Sequence, residues 1–154
     1  MTEITLQFVG GNSLADRAIQ IFTWSWADHL DLVLPDGKLL GAVPGSGVVI
    51  REQSAIDPSS RIERYSYYVT RDQEARLYEE AKNQLGTPYD WAAIIGIAIH
   101  RDWAQTDHWI CSEFQLWLSA IVGKPLLNAP KLDRITPRDL LLSPLLMKKY
   151  SNHD

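Results

Sequence analysis

Apolar and polar positions alternate with a period of two at Ile4, Leu6 and Phe8, which predicts a strand ending at Gly10-Gly11. Ser13 followed three residues later by Asp16 forms a capping-box pattern. It opens a helix predicted to run through about Thr23, with Leu14, Ala18, Ile21 and Phe22 on its buried side. The stretches His29 to Leu34 and Lys38 to Ala42 flank Pro35-Asp36-Gly37, a hairpin signal. A further strand, Gly47 to Arg51, follows a Pro-Gly-Ser-Gly turn, and Arg61 to Val69 is another.

Beyond residue 70 the period lengthens. Asp72 to Leu85 carries helical spacing at Ala75, Leu77, Tyr78, Ala81 and Leu85, and stops at Gly86 with Pro88 beyond. Asp90 to Ile99 reads as a second, largely buried helix. Cys111 to Val122 reads as a third, ended by Gly123 and Pro125. Thr136-Pro137-Arg138-Asp139 supplies an N-cap hydroxyl, a proline in the first turn and an acid three residues after the cap, so a last helix starts there. Strands fill the first half and helices the second, with one helix at each end. The pattern is α+β: an antiparallel sheet packed against helices.

Composition narrows the function. The 154 residues are 45% hydrophobic and 22% charged, enough for one core, and no linker or repeat divides the chain. A single domain, 1–154 with a core about 4–142, is expected. The net charge of -4 and the lack of any basic cluster beyond Lys148-Lys149 argue against nucleic acid as a partner. The longest apolar run, Trp91 to Ile99, falls short of the roughly 20 residues a spanning helix needs. The amino terminus lacks the basic start and apolar run of a secretory signal, so synthesis in the cytoplasm is expected.

Cys111 is the one cysteine, so no intrachain disulfide forms. It falls at the predicted start of a helix, where unpaired N–H groups favour a thiolate and can hold an oxyanion. A buried small hydrophobe is the alternative. A nucleophilic thiol needs a base, and the histidines are His29, His100, His108 and His153. His153 lies in a polar tail. His29 opens a strand and shares a face with Asp31 and Val33, either as a base or as an edge histidine. His108 is a rival base in a loop. With His100, Asp102 and Asp107 it matches no ligand spacing, so neither a metal nor a cofactor is expected. Trp24 and Trp26 precede His29, and Trp91, Trp103 and Trp109 bracket the approach to Cys111. Core packing accounts for most of them, and a cleft lining for some.

The order of these pieces resembles a known family. Asp28-His29-Leu30-Asp31-Leu32-Val33-Leu34 precedes the hairpin Pro-Asp-Gly-Lys and Gly47-Val48-Val49-Ile50; Leu85-Gly86-Thr87-Pro88-Tyr89-Asp90 and Ile110-Cys111-Ser112-Glu113-Phe114 follow, then Ile135-Thr136-Pro137-Arg138-Asp139-Leu140. The chain is similar, from Leu6 to Leu142, to the circularly permuted NlpC-type papain-like hydrolases, the YiiX-like group, in which the histidine strand precedes the cysteine helix. The resemblance implies that Cys111 is the nucleophile and His29 its general base. It also implies a peptide or acyl substrate, the family's usual work being cleavage of bacterial cell-wall peptides, with related permuted members acting on lipid acyl groups. One position departs. The group carries a polar third residue on the strand after the histidine, where this sequence has Gly41. Glycine cannot orient an imidazole, so Asp31, Ser46 or a water fills the role, or the site is weakened or retained only for binding.

Overall fold

The structure, a computed structural model, describes residues 1–93, 109–129 and 135–153. Strand β1 (Thr2–Gly10) is central: Ile4, Leu6 and Phe8 are buried in the apolar core while Gln7 lies on the opposite face. It pairs antiparallel with β2 (His29–Val33) on one side and β5 (Arg61–Val69) on the other. β3 (Leu39–Val43) and β4 (Gly47–Arg51) extend the sheet beyond β2, and β6 (Met147–Ser151) pairs with β5. The result is a six-stranded antiparallel sheet, ordered β4-β3-β2-β1-β5-β6.

Among the described residues the α-helices are α1 (Leu14–Thr23), α2 (Arg71–Asn83), α3 (Cys111–Ile121) and the short α4 (Pro137–Leu141). Capping boxes at Ser13, Thr70 and Thr136 fix the starts of α1, α2 and α4. Leu30, Leu32 and Leu40 from the sheet join Leu77 and Ala81 of α2 and Phe114 and Leu118 of α3 in one core. Each fully enclosed side chain of this kind, Phe8 or Phe114 for example, contributes roughly 1.5–3 kcal/mol. The expected α+β class, the hairpin and the five leading strands are all present.

Three expectations are corrected. α1 forms where its pattern predicts but is rotated: of its expected buried side Leu14, Ile21 and Phe22 are exposed and Ala18 is half-buried. Its polar side faces inward because Gln20 Nε2 donates to Gly11 O at 3.0 Å and to Asp28 Oδ2 at 2.7 Å, tying the helix to the segments flanking β1 and β2. Hydrogen bonds with a buried carboxylate outweigh the apolar stripe in setting its rotation. In α2, Leu77 and Ala81 are buried as expected, whereas Ala75 and Leu85 lie outside the core. Finally, the chain ends in a strand, not a helix. β6 is mostly exposed and lacks an apolar alternation, so nothing in its pattern announces it. Backbone pairing holds it, helped by Asn152, whose side chain accepts from Ile62 N and donates to Ser60 O. Most of the expected Asp90 to Ile99 helix, residues 94–99, lies outside the described residues; Asp90 accepts from Ala93 N at 2.8 Å, as an N-cap does.

Candidate active site

Two segments converge on Cys111. Trp109 N donates to Pro88 O and Asp90 N to Trp109 O, both at 3.0 Å, a parallel bridge that clamps the entry to α3. Trp109 then packs on Phe114 and Trp117, with ring centroids 5.8 and 5.1 Å away. Ile110, the N-cap, is apolar and makes no side-chain cap, so its side chain leaves the first-turn N–H groups untouched. Cys111 is the first helical residue and is buried. The same bridge brings buried Tyr89 within electrostatic reach of the thiol: burial first, and then the charge at Cys111, push the Tyr89 phenol upward.

His29 begins β2 and is 12% exposed. Its Nε2 lies 2.9 Å from Asp31 Oδ1, two residues along the same face of the strand. Arg51, at the end of β4, donates from Nη2 to Asp31 Oδ2 at 2.8 Å. That nitrogen also lies 3.0 Å from His29 Nε2, since both groups share one carboxylate. Asp31 is fully buried. Burial works against a charged imidazole, but the charge and hydrogen bond of Asp31, and after them those of Cys111, outweigh it and raise the His29 pKa to about 10. Burial likewise opposes ionisation of Asp31, yet His29 and Arg51 hold its carboxyl below the usual range. An imidazolium thus stands between a carboxylate and the Cys111 thiol. With Nε2 taken by Asp31, Nδ1 is the nitrogen left for sulfur.

A cleft of about 290 Å³ opens beside His29, walled by Val43, Pro44, Arg51 and Asp28 and by Ala55 and Asp57 of the loop that crosses the polar face of the sheet. Gln53 of that loop exchanges two amide hydrogen bonds, both 3.1 Å, with Gln7. Asp28 is pushed upward by burial, against hydrogen bonds from Gln20 and Gly11 N.

The structure brings Cys111, His29 and Asp31 together, and adds Arg51 and Tyr89, which the sequence reading did not single out as site residues. Arg51 reads in sequence only as the last residue of a strand, and its partners emerge from pairing β4 beside β3 and β2. Ser46, an alternative third residue, lines a separate hollow with Gly47, Tyr89 and Trp91. His153 is exposed in the tail. Trp26 lies under the Arg61 guanidinium, 4.1 Å from its centroid, and Trp91 meets Tyr89 edge to face. Trp24 is 80% exposed. His100, Asp102, Trp103, Asp107 and His108 lie outside the described residues. Among the described residues no helix is long and apolar enough to cross a membrane.

The architecture is that of an α+β sheet-and-helix domain with a thiol and an imidazole at the junction of α3 and β2. It is similar to the metalloprotein YiiX (DUF1105) of Escherichia coli O157:H7, with a TM-score of 0.71 and 18% identity over 95% of this chain and 94% of that one. The fold is therefore YiiX-like. No protein-family model matches the chain, and no curated protein matches it.

Proposed function

We propose that the protein is a thiol hydrolase of the permuted papain-like kind, a cysteine peptidase or amidase acting on cell-wall peptides. The observation that carries this reading is His29, charged by Asp31 and coupled to Cys111 at the first turn of α3. In the proposed cycle the Cys111 thiolate adds to an amide carbonyl, and the first-turn N–H groups take the developing oxyanion. The His29 imidazolium gives its proton to the leaving nitrogen as the C–N bond breaks, leaving a thioester. Neutral His29 then takes a proton from water, whose oxygen attacks the thioester; the C–S bond breaks, the acid leaves and the thiolate–imidazolium pair is restored.

The substrate assignment rests on the family resemblance, helped by the cleft lining. Asp16, Asp28 and Asp57 border the cleft beside His29, and Arg51, which also lines it, is paired with Asp31; this favours a peptide bearing a cationic group over an anionic lipid. YiiX is named a metalloprotein. Among the described residues, no group of three His, Cys, Asp or Glu side chains is placed to hold a metal ion, and His29 is committed to Asp31. These residues do not fit a metal. The test is hydrolysis of cell-wall peptides and of acyl esters by the wild type and by Cys111→Ala. Peptide turnover lost in the variant, with the fold retained, supports the reading; ester turnover alone supports a lipid acyl hydrolase. Equal turnover in the two proteins rejects a thiol mechanism, and no turnover in either supports a binding role.

A further inference from the structure

We infer that Asp31 is the positioning residue for His29, that Gly41 is the space its carboxylate requires, and that Arg51 pins the carboxylate from the far side. Because it concerns how His29 is held for Cys111, the inference rests on the proposed thiol chemistry. It is carried by three pieces of geometry. The oxygen of Asp31 that meets His29 Nε2 at 2.9 Å, Oδ1, is the same oxygen that stands over Gly41: a Cβ built there would overlap Oδ1 and sit 3.3 Å from the Asp31 Cγ and 3.2 Å from Leu30 O. The backbone at Gly41 does not require glycine, since its φ is not among the positive ones, so space alone demands the missing side chain. The second carboxylate oxygen is taken by Arg51 Nη2 at 2.8 Å, which blocks rotation of the carboxylate away from the ring. With Asp31 wholly buried, neighbouring strands settle where it points.

The groups facing the ring are Asp31, Arg51 and Cys111, with Asp28 adjacent in the chain. Removing the carboxylate leaves the imidazole free to turn and lets either nitrogen carry the proton. Glycine at 41 is thus a requirement of the site: any side chain there competes with Asp31 for one volume.

The experiment is the pH profile of Cys111 alkylation by iodoacetamide in the wild type, His29→Ala, Asp31→Asn, Asp31→Ala, Gly41→Ala and the double variant Asp31→Ala/Gly41→Ala, with circular dichroism checking the fold. Gly41→Ala and Asp31→Asn are each expected to slow alkylation at pH 6 about tenfold or more and to move the profile toward that of a free thiol. In the Asp31→Ala background, Gly41→Ala is expected to add little, since the overlap with Oδ1 is gone and only the 3.2 Å approach to Leu30 O remains. Failure of Gly41→Ala to fold, relieved in the double variant, is the same result read through stability. Gly41→Ala behaving as wild type, or proving as damaging without Asp31 as with it, overturns the inference. A loss in His29→Ala with none in Asp31→Asn overturns the positioning role but leaves the thiol–imidazole pair standing, whereas no loss in His29→Ala rejects both.

Discussion

Asp31 and Gly41 share one volume: the carboxylate oxygen that holds His29 occupies the place where a side chain at position 41 would begin. β2 and β3 are paired through Leu32↔Leu40 and Val33↔Leu39, which carries Asp31 and Gly41 toward each other on neighbouring strands. A polar group is present at the site after all, supplied from the histidine's own strand.

Breaking that group is costly. Asp31→Ala removes the shared partner of two cationic side chains, both largely enclosed. Loss of one member of a buried ion pair destabilises by about 3 kcal/mol or more, so a fall of that size in the unfolding free energy, read by urea titration, is expected. Stability equal to wild type would show that the carboxylate carries no net structural load.

The pH dependence of stability follows from the direction of each shift. The folded His29 pKa of about 10 lies above the ordinary value of 6.5, so the folded state holds that proton more tightly. Its stabilisation is complete below the ordinary value and is lost as pH rises through about 10. The unfolding free energy of the wild type relative to His29→Gln is therefore expected to fall across this alkaline range. Asp31 acts oppositely: its carboxyl is held below 3.8, and its contribution is lost as pH falls through the lowered value. Urea titrations at stepped pH give both slopes, and a difference flat through the alkaline range contradicts the charged imidazole.

The rotation of α1 makes a contrast within one molecule. Leu14→Gln and Ile21→Gln alter residues that are 89% and 70% exposed, and each is expected to change stability by no more than about 0.5 kcal/mol. Phe114→Ala, in the closed core, is expected to cost about 3–5 kcal/mol. Comparable losses in all three would place the apolar side of α1 in the core.

Asn152 joins the chain's last turn to β5. Asn152→Ala removes two hydrogen bonds, to Ile62 N at 2.7 Å and to Ser60 O at 3.0 Å, and is expected to cost about 1 kcal/mol. Faster amide exchange at Ile62 checks it locally; protection unchanged there would mean that backbone pairing alone holds β6.

The sequence by itself determined whatever depends on neighbours along the chain. The alternation at Ile4, Leu6 and Phe8, the capping residues Ser13 and Thr136 and the turn Pro35-Asp36-Gly37 each state a local preference that nothing distant reverses, and the corresponding elements form at those positions. Cys111 at a helix start and His29 at a strand start were legible for the same reason. The direction in which α1 turns its apolar stripe, the existence of β6 and the partnership of Asp31 with Arg51 and Gly41 were not. Each depends on residues distant in the chain but close in space: Gln20 on Asp28, Asn152 on Ile62, Arg51 on Asp31 across two intervening strand connections. Tertiary structure decides them because a buried carboxylate must find its hydrogen-bond partners wherever the sheet places them, and that demand overrides both hydrophobic period and strand propensity.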